Sequence, residues 1–162
     1  MAEYEHHNQP FTPVYDENSK VLVLGTFPSV KSRENNFYYG HPQNRFWKVM
    51  AALFDEPLPQ TVEEKKTLVL SHHIAIWDVI ESCDIIGSSD SSIKNVVPAD
   101  IAGLLAKTRI ERIYVNGNLA KRLYDRFALP VTGIEAIKLP STSPANAKFR
   151  LNQLIENWQV IL

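Results

Sequence analysis

The sequence predicts a three-layer α/β/α domain built on a four-stranded, mainly parallel β-sheet. Apolar runs such as "VLVL" at residues 21–24 end abruptly at turn residues, which is typical of strands buried on both faces. These runs alternate along the chain with segments whose apolar residues recur at helical spacing. The length of 162 residues fits a single domain covering residues 1–162, without an internal repeat.

Each predicted element follows from its local pattern. The first 19 residues are polar and interrupted by Pro10 and Pro13, which favours an extended arm lying on the domain. The predicted strands are "KVLVLGTF", "IAIWDVI" ending near Asp78, "RIYVNG" and "IEAIKL". The predicted helices begin near Pro42, near Thr61, at Pro98 and Asp100, at "NLAKRLYDRF", and before the final Phe149, Leu154, Ile155 and Trp158. A polar loop containing "GSSDSSIKN" is predicted after the second strand.

Composition excludes several classes of protein. With 17 basic and 18 acidic residues, any contact with nucleic acid has to be local. The single Cys83 excludes an intrachain disulfide and cannot alone hold a zinc ion or an iron–sulfur cluster. The pairs His6-His7, in a flexible tail, and His72-His73, read as part of a strand, lack the geometry of metal ligands. We therefore expect a cytoplasmic protein with neither metal nor cofactor, without a signal peptide or membrane span.

Open parallel sheets place their functional sites where the strands end and the loops begin. This rule selects "GTFPS", "WDV", "VNG" and "LPSTSPANA". The "GTFPS" turn has three interpretations: a phosphate-binding turn, a nest of backbone N–H groups, or a tight corner after a strand. It is not a P-loop, because no Gly-Lys-Ser/Thr follows at the required spacing.

The stretch "GHPQNRFWKVM" places Asn44 near the start of a helix. Asn44 is then either a helix cap or a reagent, since its amide has one acceptor and two donors. Such an amide can hold a water molecule but cannot strongly deprotonate it. Tyr38 and Tyr39, in the loop before this helix, are either packing aromatics or the face on which a planar ligand stacks.

Several of these motifs together resemble the uracil-DNA glycosylase superfamily. The block "NNFYYGHPQNRFWKVM" carries most of the similarity, and "IAIWDVIESC", "SSDSSIKN" and "LPSTSPANA" make the chain most similar to the hypoxanthine (deoxyinosine) DNA glycosylase branch. Two departures matter. Phe27 stands where several branches carry a catalytic Asp or Asn, and Leu139-Pro140-Ser141 stands where relatives often have His-Pro-Ser.

The resemblance implies a monofunctional DNA glycosylase that hydrolyses the N-glycosidic bond of deaminated bases in base excision repair, hypoxanthine being favoured. Its partner would be DNA containing such a base, and the protein would act as a monomer. The resemblance assigns water positioning to Asn44 and the stabilisation of the leaving base to backbone N–H groups near Thr26 and Phe27. It assigns the flipped base to Tyr39, Asp78 and His41, with an ionised Asp78 reading the edge of the base. The residues assigned to DNA are Ser29, Ser141, Thr142, Ser143 and Pro144.

Two other interpretations stay open on the sequence. One is a mismatch-specific uracil or thymine DNA glycosylase, which has the same fold. The other is a non-catalytic nucleotide- or protein-binding domain on this scaffold, because a fold can persist without its chemistry.

Overall fold

The structure is a computed structural model that describes residues 3–162. Within them the strands are β1 (Glu5–Asn8), β2 (Val21–Gly25), β3 (Ile74–Asp78), β4 (Ile80–Ile85), β5 (Lys94–Pro98), β6 (Arg112–Asn116) and β7 (Ala136–Leu139). The α-helices are α1 (Val30–Glu34), α2 (Phe46–Leu53), α3 (Val62–Ser71), α4 (Ile101–Ala106), α5 (Asn118–Leu123), α6 (Leu129–Thr132) and α7 (Leu151–Trp158). None of the helices in this range has the length and apolar character needed to cross a bilayer.

The central sheet has four strands in the order β3-β2-β6-β7, and every pairing is parallel. All residues of β2 and β3 are buried, which explains why the two strands are continuous apolar runs. The register places Gly25 beside Asp78 and Asn116 beside Leu139, so the carboxyl ends of the strands meet at one edge. The predicted fold class is confirmed.

The helices form two contacting groups, as a three-layer arrangement requires. Helix α2 packs against α3 and α7, whereas α4 contacts α6 and α5 contacts β6 and β7. Helix α2 buries Phe46, Trp47, Val49, Met50 and Ala51. Burial of this apolar face, rather than helix propensity, is what stabilises a helix of only eight residues.

A second, antiparallel sheet was not predicted. It has the order β1-β4-β5, so the segment expected as a polar loop after Asp78 is instead two strands joined by a loop that holds most of the Ser-rich "GSSDSSIKN". Register shifts between β4 and β5 interrupt the alternation that would have revealed them. In β4, Ile80, Cys83 and Ile85 are buried in a small core of their own. The arm of residues 1–19 contains β1, which is mostly exposed; residues 1 and 2 of the arm lie outside the described residues.

Element boundaries differ from prediction in four places. Pro98 ends β5 instead of starting a helix, and α4 begins at Ile101 with Asp100 as its N-cap. Helix α2 begins at Phe46 rather than near Pro42, because the backbone N–H of Asn44 closes a turn onto the His41 carbonyl. The "NLAKRLYDRF" helix is α5 followed by a π-helical segment at Tyr124–Ala128 that continues into α6. His72 ends α3 and stacks on Phe54 instead of lying in a strand.

Candidate active site

A cavity of about 630 Å³ opens at the carboxyl edge of the parallel sheet. Its walls come from the segment after β2, the loop before α2, the ends of β3 and β6, the loop between β4 and β5, and the loop after β7. All eleven residues that the sequence assigned to catalysis, base binding or DNA contact line this cavity: Thr26, Phe27, Ser29, Tyr39, His41, Asn44, Asp78, Ser141, Thr142, Ser143 and Pro144.

Gly25 shapes the part of the cavity where β2 ends. A Cβ atom at this position would lie 2.6 Å from Asp78 Oδ1 and 3.0 Å from Tyr39 Oη. Real Cβ atoms essentially never approach other atoms as closely as the first of these distances. The absence of a side chain at Gly25 therefore allows a carboxyl group and a phenol to lie close to the same point.

Asp78 is only 3 % exposed, and burial raises the pKa of its carboxyl group to about 7. Hydrogen bonds from the Gln9 side chain and the Gly25 backbone act in the opposite direction. Gln9 Nε2 donates to Asp78 Oδ2 over 3.0 Å. The expectation of a fully ionised Asp78 is corrected: near neutral pH both protonation states are populated. Gln9, in the N-terminal arm, was not predicted as part of the site.

Tyr39 has one ring face covered. Its ring stacks on that of buried Phe46, with 4.0 Å between the centroids and 15° between the planes. Its hydroxyl is buried and makes no hydrogen bond of acceptable geometry within residues 3–162. Burial raises the pKa of the Tyr39 phenol well above its ordinary value, although the nearby Asn116 amide lowers it. The phenol is therefore a neutral hydrogen-bond donor.

The amide of Asn44 is held in one orientation. Its Oδ1 accepts from the backbone N–H of Phe46 at 2.9 Å and from the hydroxyl of Thr142 at 2.8 Å. A flipped amide would set its NH₂ group against the Phe46 N–H. With both lone pairs of Oδ1 in use, the group that Asn44 offers to the cavity is Nδ2, which only donates. Asn44 is thus both a cap at the start of α2 and a directed donor.

Asn116 and Thr142 hold each other by two hydrogen bonds. Asn116 Nδ2 donates to Thr142 Oγ1, and the backbone N–H of Thr142 donates to Asn116 Oδ1, both over 3.0 Å. Thr142 is fully buried, and its hydroxyl donates in turn to Asn44. Its side chain therefore has no exposed surface to offer to a phosphate, unlike those of Ser141 and Ser143. Asn116 was not predicted individually, although "VNG" marked the end of its strand.

Arg45 anchors the loop that follows β7. Its guanidinium group donates to the backbone carbonyls of Thr142, Ser143, Asn146 and Phe149. Four donated hydrogen bonds use most of the five N–H donors of an arginine. Arg45 therefore has a structural role, which the sequence did not predict.

The "GTFPS" turn supplies mainly backbone to the cavity. Ser29 caps α1 by accepting from the backbone N–H of Ser32, which accounts for its hydroxyl. The Phe27 ring packs on the small core formed by Ile80, Cys83 and Ile85, and the Arg33 guanidinium lies 5.9 Å from its centroid. The side chain of Phe27 is thus a packing group, and a catalytic contribution from this residue has to come from its backbone.

His41 is also oriented by its own loop. Its Nδ1 accepts from the backbone N–H of Gln43 over 3.0 Å. In the neutral ring the proton then lies on Nε2, which becomes the donor of this side chain. Because His41 lines the cavity, this donor is available to a bound group.

The fold and the cavity define an α/β enzyme whose site lies at the carboxyl ends of parallel strands, as such sheets favour. The sequence profile of the Uracil DNA glycosylase superfamily matches residues 12–161. The chain belongs to this superfamily and is a DNA glycosylase, a hydrolase that acts on N-glycosyl bonds.

Known relatives resemble the chain over most of its length. It is 36% identical to a hypoxanthine DNA glycosylase of Methanosarcina acetivorans over 153 residues, which cover 93% of this chain and 95% of the relative. It is 35% identical over 88 residues to a hypoxanthine DNA glycosylase of Methanosarcina barkeri, covering 54% of this chain and 56% of that protein. The solution NMR structure of a Methanosarcina acetivorans protein assigned to the uracil DNA glycosylases superposes with a TM-score of 0.78 at 35% identity, covering 95% of each chain.

Proposed function

We propose that this DNA glycosylase removes deaminated bases from DNA by hydrolysis, with hypoxanthine preferred, as the first step of base excision repair. The names of the two Methanosarcina relatives support hypoxanthine as the base. The observation that carries the proposal is the buried Asp78 carboxyl group at the bottom of the cavity. A carboxylate there accepts from the ring N–H of hypoxanthine but repels the bare N1 acceptor of adenine.

The reaction requires the base to leave the duplex stack and enter the cavity. As the N-glycosidic bond breaks, its electron pair passes to the base, and the sugar becomes cation-like. Backbone N–H groups around Thr26 and Phe27, together with His41 Nε2, stabilise the negative charge that develops on the base. Water then adds to C1′ of the sugar and loses a proton to solvent, and the released base gains a proton.

Asn44 positions that water by donating from Nδ2 to its oxygen atom. The second lone pair of the water stays available for attack on C1′. Because Oδ1 is occupied by Phe46 and Thr142, Asn44 does not remove a proton from the water. This weak activation suffices when bond breaking runs ahead of attack.

DNA contacts come from the rim of the cavity. Ser141, Ser143 and Pro144 belong to the loop after β7 that Arg45 anchors. Ser29 also lines the cavity, but its hydroxyl is bonded to Ser32 and is not free for a phosphate. Contacts of hydroxyl groups with phosphate orient the duplex without reading sequence. We propose that the enzyme acts as a monomer in a reducing cytoplasm, which a single buried Cys83 fits.

The test is a panel of duplex oligonucleotides containing inosine, uracil, xanthine or a G·T mismatch, with alkali cleavage of the abasic product. We expect inosine to be processed fastest. A preference for uracil or for the mismatched thymine would assign the chain to the mismatch-specific branch. Absence of cleavage on every duplex would support a non-catalytic binding domain.

A second experiment examines Asp78. The side chain of the Asp78→Asn variant has an NH₂ donor as well as an oxygen acceptor, and the donor can pair with N1 of adenine. Adenine excision should therefore rise relative to inosine excision in single-turnover assays. A folded variant with the wild-type ratio of rates would show that Asp78 does not read the base.

A further inference from the structure

Tyr39 lines the cavity, and its hydroxyl is a buried donor with no partner within residues 3–162. A buried polar group without a hydrogen bond is costly, and it is commonly satisfied by a ligand or by ordered water. Its phenol keeps its proton, since burial raises the pKa well above its ordinary value. The hydroxyl therefore has the properties of a group that awaits an acceptor on a bound molecule.

The backbone around Tyr39 holds the hydroxyl in place. Tyr39 has a φ of 55°, a left-handed conformation that is uncommon for an aromatic residue. The neighbouring residues are anchored: Trp47 Nε1 donates to the Tyr38 carbonyl at 3.0 Å, and Asn35 Nδ2 donates to the Gly40 carbonyl at 2.7 Å. Backbone strain that the surroundings maintain in this way is frequent at ligand sites.

The ring of Tyr39 already has a stacking partner. Phe46 covers one of its faces at 4.0 Å. The hydroxyl at the end of the ring and Asp78 Oδ1 both lie close to the point that a Cβ atom of Gly25 would occupy. The side chain thus presents a donor beside the acceptor of Asp78.

This donor and acceptor match the chemistry of deamination. In adenine the relevant edge has a ring nitrogen that accepts beside an amino group that donates, whereas in hypoxanthine it has a ring N–H that donates beside a carbonyl that accepts. A carboxylate and a phenol side by side are complementary to the second edge. The carboxylate is mismatched to the first edge at the ring nitrogen, because acceptor would face acceptor, whereas the phenol oxygen could accept from the amino group.

We infer that Tyr39 reads the base with its hydroxyl, which donates to the carbonyl next to the ring N–H that Asp78 accepts. The pair recognises the lactam edge, a ring N–H beside a carbonyl, which deamination creates in hypoxanthine and uracil. Xanthine carries the same edge, and guanine, which shares it, has to be excluded by its 2-amino group. This inference rests on the proposed function and replaces the ring-stacking role by a hydrogen bond.

The test compares wild type with Tyr39→Phe, which keeps the ring and its stacking on Phe46 and removes only the hydroxyl. Single-turnover excision is measured on inosine- and adenine-containing duplexes, together with thermal unfolding. We expect inosine excision to fall at least about tenfold, on the scale of one lost hydrogen bond to a bound substrate. The melting temperature should stay the same or rise, since an unpaired buried hydroxyl is removed.

A Tyr39→Phe enzyme with the wild-type inosine rate would overturn the inference and return Tyr39 to a stacking role. A loss of activity accompanied by a lower melting temperature would also overturn it, because the hydroxyl would then be structural. If wild type releases another lactam base but not hypoxanthine, the proposed substrate is wrong. The rates of wild type and Tyr39→Phe on the base that is released then decide the role of Tyr39.

Discussion

The hydroxyl of Thr142 donates to Asn44 Oδ1 over 2.8 Å, which joins the loop after β7 to the start of α2. The same Oδ1 also accepts from the Phe46 backbone N–H. These two contacts determine which end of the Asn44 amide faces the cavity. They also make the function of Asn44 separable from its capping role by substitution.

Asn44→Asp should separate the two roles. A carboxylate still accepts from Phe46 and Thr142 but has no N–H to offer to water. We expect excision to fall about 100-fold, which is typical of removing one well-placed catalytic donor. The melting temperature should change by no more than about 2–4 °C, equivalent to about 1 kcal/mol for a domain of this size.

Asn44→Ala provides the matched comparison. It loses the donor and both accepted hydrogen bonds, so it should lose activity and also about 1 kcal/mol of stability, as for a lost helix cap. If Asn44→Asp excises as fast as wild type, the donated hydrogen bond is not needed. Undiminished turnover of a folded Asn44→Ala enzyme would show that Asn44 is only a cap.

Thr142→Val tests the link from Asn116 to Asn44. Valine has nearly the same shape, but its methyl group leaves Asn116 Nδ2 without an acceptor and frees one lone pair of Asn44. We expect a lower kcat with little change in KM, and a loss of about 1–3 kcal/mol in the free energy of unfolding. Thr142→Ser retains the hydroxyl and should restore most of kcat. Equal kcat values for the two variants would show that the link does not position Asn44.

Gly25→Ala should damage the base-binding pocket. The added Cβ would lie 2.6 Å from Asp78 Oδ1, so the carboxyl group has to move. We expect excision of inosine to fall at least about tenfold, since small displacements of positioning groups have large kinetic effects.

Gly133→Ala is the control for Gly25→Ala. Gly133 has a φ of 69° and open space around its Cβ position, so alanine there costs conformational energy without touching the cavity. This variant should lose stability and keep its activity. Full activity in Gly25→Ala would show that the positions of Asp78 and Tyr39 tolerate displacement.

The activity should depend on pH through Asp78, whose pKa is raised by burial to about 7. The ionised carboxylate is the stronger acceptor for a base N–H, and protonation replaces one of its acceptor positions by a donor. Single-turnover excision should therefore fall as the pH drops through this value. The phenols of Tyr38 and Tyr39, which lie in the field of Asp78, stay neutral because burial raises the pKa of each. The other titratable side chains that line the cavity are His41, Lys31 and Asp90, so variants are needed to show that the pH dependence comes from Asp78.

Gln9→Leu identifies which group is responsible for this pH dependence. The hydrogen bond from Gln9 lowers the pKa of Asp78, so its removal should move the acid limb of the rate profile to higher pH. Asp78→Asn should remove the limb. If Gln9→Leu leaves the profile unchanged, the limb belongs to another group.

The same carboxyl group should make the stability of the fold decrease with rising pH, whereas it makes the activity increase. Because the pKa of Asp78 is higher in the folded protein than in the unfolded chain, the folded state binds more protons between about pH 4 and 7. The free energy of unfolding should therefore decrease with rising pH in this window, by up to about 1.4 kcal/mol per pH unit from this group. Urea denaturation at pH 5 and pH 7.5 measures this change in the free energy of unfolding for wild type and for Asp78→Asn. The same change in both proteins would contradict the raised pKa of Asp78.

The sequence by itself determined the parallel sheet and the location of the site. Both depend on local patterns: apolar runs that end at Gly25, Asp78 and Asn116, and loops that follow those ends. In a parallel sheet the ends of the strands meet at one edge, so residues after different strands converge without knowledge of the packing. The family block around Asn44 also lies within one short segment.

Only the tertiary structure decided how the site residues are oriented and charged. Gln9 and Asp78 are 69 positions apart and Asn44 and Thr142 are 98 apart, so no local periodicity connects them. The pKa of Asp78 depends on how completely the folded chain excludes water from the carboxyl group, and the donor role of Asn44 depends on which neighbours occupy its oxygen. Both are properties of contacts between distant segments, which form only when the whole chain closes around the cavity.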